Sequence, residues 1–161
     1  ELLYTRPISD LSILLAKYFA GVSLVVISLL PTVVFYISMY NLGYPVGVID
    51  TGAAATSFLG LILLGASFVA IGIFSSTITS NQIVAFILAM FLCWFLYSGL
   101  YLLGSYATFA GLDRIIQYAS LDYHYDSIKK GVLVLSDMVY FFGVIFFFLF
   151  ASHNVLTAIR K

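Results

Sequence analysis

The sequence predicts an all-α fold: a polytopic transmembrane helix bundle of about four spans, with short amphipathic helices at its surface. Composition is the first reason. Of 161 residues, 63% are hydrophobic and only 9% are charged. Soluble domains carry roughly 25% charged residues, so a water-soluble fold of this size would lack the polar surface it needs. Lipid removes that requirement, because it solvates apolar side chains. The second reason is continuity. No charged residue occurs from Thr51 to Leu112. The third is pattern. The apolar runs do not alternate, whereas the strands of a membrane β-barrel show about ten residues of alternating polarity.

A helix needs about 20 mostly apolar residues to cross ~30 Å of hydrocarbon. Four stretches qualify: residues 11–40, 54–74, 82–103 and 138–159. Pro31 lies in the first and is expected to kink it, because proline removes a helix hydrogen bond. Residues 41–53 form a Gly/Pro loop. Residues 75–81, Ser-Ser-Thr-Ile-Thr-Ser-Asn, form a turn between antiparallel spans.

Residues 104–137 hold much of the charge. Leu112, Ile115, Ile116 and Ala119 follow helical spacing there, as do Tyr125, Ile128 and Val132. Two short amphipathic helices at the membrane surface are expected. The segment 1–10 is short and polar, with Ser9 or Asp10 placed to cap the first span. Glu1 in place of an initiator methionine, with no signal peptide, predicts a piece of a longer chain.

Four spans put both ends on one side. Arg6, Lys17, Arg160 and Lys161 lie on that side, against Arg114, Lys129 and Lys130 on the other. The tail 160–161 and the segment 1–10 are therefore expected in the cytoplasm.

Signatures of enzymatic chemistry are missing from the sequence. It has no phosphate-binding Gly-x-x-x-x-Gly-Lys-Ser/Thr loop, no Gly-x-Ser-x-Gly elbow and no His-Glu-x-x-His pair. Two histidines and one cysteine are too few for a zinc site of the usual His/Cys kind. No catalytic, cofactor-binding or metal-binding residue is expected. The balanced charge, seven basic against seven acidic, gives no reason to expect a nucleic-acid partner.

His124 is expected in a polar surface turn entering a short helix; a metal or pH-sensing site is the sharper alternative. His153 is expected at the membrane interface, and Cys93 as inert packing. Ala16 and Ala20, with Gly65, Ala66, Ala70 and Gly72, form small faces on two spans. Such faces let helices approach closely in lipid, within the chain or against a second subunit.

Glu1-Leu2-Leu3-Tyr4-Thr5-Arg6-Pro7-Ile8-Ser9, followed by Lys17-Tyr18-Phe19-Ala20, resembles the cytoplasmic loop and third span of ABC-2 type transporter permeases. Asp50-Thr51-Gly52-Ala53, Phe68 to Gly72, Ser80 to Phe86, and His124 to Ile128 with Gly131-Val132 resemble the gliding-motility-associated branch of that family. The resemblance covers nearly the whole chain. It implies a permease of about six spans whose first two are missing here, in a bacterial inner membrane.

The resemblance also implies partners. Residues 1–10 would include the coupling helix that docks on a separate ABC ATPase subunit, which binds the ATP. Leu2, Leu3, Tyr4 and Arg6 are the expected contacts. A second permease copy or paralogue would complete the path through the lipid. On this reading the chain is a transport subunit and no enzyme. The alternative is a structural membrane scaffold of an envelope or motility complex, without a translocation path.

Overall fold

A computed structural model describes residues 9–44, 49–106 and 112–159. The described residues form helices α1 (Asp10–Leu42), α2 (Thr51–Ile78), α3 (Gln82–Trp94), α4 (Leu100–Ser105), α5 (Asp113–Tyr118), α6 (Leu121–Lys129) and α7 (Leu135–Ile159). A π-helical segment, Phe95–Gly99, joins α3 to α4 without a break. Its mark is a hydrogen bond from the Leu100 N–H to the Phe95 carbonyl, five residues back.

Four stretches are long and apolar enough to cross a bilayer: Asp10–Leu42, Thr51–Ile78, Gln82–Ser105 and Leu135–Ala158. The protein is thus an all-α, multi-pass membrane bundle. α1 has 33 residues. At ~1.5 Å per residue it is roughly 50 Å long, well beyond the ~30 Å of hydrocarbon, so it tilts or projects past the lipid. It runs as α-helix through Pro31, which sits on its exposed side.

Three of the spans begin where one polar side chain replaces a missing backbone partner. Ser9 accepts from the Ser12 N–H at 3.3 Å, leaving Asp10 in the first turn. Asp50 accepts from Gly52 and Ala53 at 2.8 and 3.2 Å. Asn81 accepts from Ile83 at 2.9 Å, and so ends the turn that reverses the chain.

α2 is the central member, packed against α1, α3, α6 and α7. Its buried residues Gly60, Leu63, Ser67, Ala70, Ile71 and Ser75 recur at helical spacing. The buried hydroxyls return to their own helix. Ser67 donates to the Leu63 carbonyl at 2.9 Å and Ser75 to the Ile71 carbonyl at 3.0 Å. Ser152 does the same on α7, to the Phe148 carbonyl at 2.7 Å. No polar group of these serines then meets lipid unpaired.

Two clusters make the core. One joins Tyr18, Ala66, Ala70, Ile71, Ile145 and Phe148; the other joins Leu63, Leu121, Ile128 and Phe141. The outward faces are apolar as well, with Leu24, Phe35, Phe86 and Phe146 all exposed. Those faces suit a lipid solvent.

α1 and α2 lock by a reciprocal fit. A Cβ on Gly21 would lie 2.6 Å from Val69, and a Cβ on Gly65 would lie 2.6 Å from Val25. Each helix offers one notch and, four residues on, one knob. Valine is stiff at χ1 and cannot swing aside cheaply. Gly65→Val should therefore destabilise the α1–α2 pair by about 1–3 kcal/mol. Adding Val25→Gly should recover most of that loss. Thermal unfolding of the single and double variants in detergent measures both effects.

Candidate functional site

Among the described residues, a cluster of polar side chains gathers at one end of the bundle, beside the start of α2 and the start of α7. There α5 and α6 form a cap, and α6 sinks into the bundle. Two glycines permit this. Gly60 of α2 admits Ile128, whose Cγ2 would lie 2.5 Å from a Cβ at that position. Gly131 takes a positive φ of 85° and turns the chain against Ala53. Ser57 of α2 then donates to the Lys129 carbonyl at 3.2 Å, closing the end of α6 onto α2.

Ser120 caps α6 through the Tyr123 N–H at 3.2 Å. The buried stripe of α6 is Leu121, His124 and Ile128. His124 is wholly buried, which corrects the expectation of a surface turn. Its Nδ1 lies 2.8 Å from Oδ1 of Asp137, in the first turn of α7. Its Nε2 donates to the Tyr118 carbonyl at 2.9 Å.

Three aromatic rings enclose the imidazole. Tyr140 stacks on it, with centroids 3.9 Å apart, while Tyr118 and Tyr123 meet it edge-on at 4.6 and 5.4 Å. The Tyr140 hydroxyl donates to the Ala119 carbonyl, so the stacked ring is itself anchored to the cap. Asp137 is only 5% exposed, and its second oxygen, Oδ2, is buried with no hydrogen-bond partner. The positive end of the α7 dipole favours the carboxylate there.

The outer face of α6 is ordinary by comparison. Asp126 pairs with Lys129 at 2.7 Å and more closely with Lys130. Those two hydrogen bonds hold the Asp126 carboxyl below the usual carboxylate range, and Asp126 in turn raises the Lys129 ammonium. Burial pushes the Tyr125 hydroxyl up, and the edge of its ring packs toward Gly60. Asp122 faces Tyr97 on the π-helical segment.

Both nitrogens of His124 are taken, so the ring offers neither a metal ligand nor a free general base. Among the described residues no group of three or more His, Cys, Asp or Glu side chains could hold a metal ion. The arrangement fastens α6 to the start of α7 and to the end of α5.

Leu2, Leu3, Tyr4 and Arg6 lie outside the described residues. Ala66 and Ala70 are core residues, and Gly65 receives Val25. Ala16 and Ala20 are exposed, and nothing lies within 4 Å of a Cβ on Gly72. Gly21 and Val25 make the α1 side of that contact instead. Cys93 is half-buried against the core, and His153 is half-buried on α7. The sequence does hold one signal for His124, its place three residues after Leu121 and four before Ile128 on a single helix face.

No protein-family model, curated protein or solved structure matches this chain.

Asp137→Ala would leave the His124 donor without its acceptor in a buried site. Removing one partner of a buried pair costs about 3–5 kcal/mol, and unfolding in detergent should show a loss of that order. Asp126 behaves differently. Its folded pKa is lowered, so its contribution is present above the ordinary carboxylate pKa and is lost as pH falls through the lowered value. Asp126→Asn should abolish this acid-dependent fraying of α6, read by amide hydrogen exchange.

Proposed function

We propose that the chain is the membrane-spanning permease subunit of an ABC-2 type exporter, coupling ATP hydrolysis in a separate subunit to movement of a substrate. The observation that carries this reading is the arrangement of the bundle. Three spans pack around a fourth, central one, the described spans hold no charged residue at mid-depth, and a short two-helix cap precedes the last span. The resemblance of the sequence implies the same order of parts. A helix bundle of this kind can do work by shifting rigid helices between two packings.

A groove of about 680 Å³ supports the reading. It lies at the end of the bundle where α1 begins and α2 and α7 end, lined by Ile13, Leu14, Lys17, Ile73, Thr77 and Leu156. In this proposal that end faces the cytoplasm, and segment 1–10 carries the ATPase-docking residues Leu2, Leu3, Tyr4 and Arg6. The partners are an ABC ATPase, a second permease copy or paralogue, and lipid. ATP biases the bundle only if the docked segment differs in free energy between the two packings.

The test is a pull-down of the full-length protein from native membranes, followed by reconstitution with the ATPase it retains. Stimulated ATP hydrolysis supports the permease reading. A retained complex without an ATPase favours the scaffold. Arg6→Glu and Leu3→Asp should each uncouple hydrolysis from transport while leaving membrane insertion intact. Unchanged coupling in both variants would remove the docking role.

A further inference from the structure

The groove where α1 begins has two kinds of wall. Ile13 and Leu14 of α1, Ile73 of α2 and Leu156 of α7 make one of them apolar. Lys17 of α1, with Ser76, Thr79 and Ser80 at the end of α2, makes the other polar. Lys17 is exposed, and no ion pair among the described residues engages it. Thr79 accepts from the Asn81 N–H at 3.2 Å and keeps its own hydrogen to give. Thr77 spends its hydroxyl on the Phe74 carbonyl and does not join them.

Depth decides what can meet both walls. α1 has 33 residues, so at ~1.5 Å per residue it exceeds ~30 Å of hydrocarbon by about 20 Å. Shared between the two ends, that excess is about 10 Å, or about seven residues, and it brings Lys17 to the edge of the hydrocarbon. α2 has 28 residues, and the same arithmetic puts its edge near Ser75. Ser76, Thr79 and Ser80 then lie at the level of lipid headgroups. Helical side chains lean toward the helix N-terminus, so the Lys17 ammonium reaches outward to that level as well. Asp10 also lines the groove, about two turns closer to water, and is already engaged.

We propose that this groove binds one phospholipid molecule of the membrane, its phosphate on Lys17 and the neighbouring hydroxyls and its acyl chains on the apolar wall. The phosphate oxygens accept from the ammonium and from the hydroxyls, which gives charge-assisted hydrogen bonds. A free anion would meet the polar wall alone, and an uncharged lipid the apolar wall alone. The volume of about 680 Å³ is in the range of sites that enclose small molecules, and the far ends of the chains stay in the bilayer. The bound lipid bridges the start of α1 to the ends of α2 and α7. Its binding does not depend on the permease reading.

Native mass spectrometry of the full-length protein, delipidated in detergent, tests the site with dioleoyl-phosphatidylglycerol, with dioleoylglycerol, which lacks the phosphate, and with glycerol 3-phosphate, which lacks the chains. The phospholipid should bind saturably, one molecule per chain, and the other two at least about fivefold more weakly. Lys17→Gln should weaken phospholipid binding by about fivefold, the loss expected for one lysine at a headgroup, while Lys17→Arg should keep it. Lys130→Gln, an exposed lysine at the other end of the bundle, should change nothing. Ile73→Trp, which fills the groove, should weaken binding with Lys17 intact. Dioleoylglycerol or glycerol 3-phosphate binding as tightly as the phospholipid overturns the proposal. So does wild-type binding in Lys17→Gln, or an equal loss in Lys130→Gln.

Discussion

Missing side chains on α2 are the constraint on which the rest of the bundle depends. In lipid, helices gain nothing from leaving water, so close packing and hydrogen bonds must hold them together. α2 supplies the close approach. At Gly65 it admits Val25 of α1, and at Gly60 it admits Ile128 of α6. Ala66 and Ala70 let the core close around Ile145 and Phe148 of α7. A side chain at Gly60 would push α6 outward, and His124 would then lose its seat beside Asp137. The polar cluster thus rests on an apolar detail.

The membrane fold was legible because it follows from composition and run length. Long uncharged stretches have few options in a bilayer, and polar residues at their breaks, such as Asp50 and Asn81, sit where orphan N–H groups need acceptors. Which face of a span turns inward was not legible. Apolar residues surround α1 and α2 on every side, so periodicity carries little signal. Ala16 and Ala20 look like a packing face by spacing alone. The contact runs instead through Gly21 and Val25, because only there does α2 present a matching notch and knob.

His124 shows a different limit. Its stretch, Leu-Asp-Tyr-His-Tyr-Asp, reads as a polar turn, since every flanking residue can meet water. Burial came from a carboxylate 13 residues away, across a turn whose geometry hangs on Gly131. Local pattern cannot register such a partner. The helical stripe of Tyr125, Ile128 and Val132 was close to the mark, with Ile128 buried and Tyr125 half-buried. Val132 falls beyond the end of α6 and is exposed. The buried face lies one residue earlier, at Leu121, His124 and Ile128, because Gly60 draws Ile128 inward.

The π-helical segment has a geometric effect of its own. A π-turn holds one residue more than an α-turn, and each residue of an α-helix advances the chain by about 100°. All of α4 is therefore rotated by about that angle relative to an uninterrupted continuation of α3. The rotation brings Gly104 round to face α5, where Gln117 and the Asp113 carbonyl occupy the space a side chain would need. Without this extra residue, Gly104 would turn away from α5, and the third span would lose its close approach to the cap.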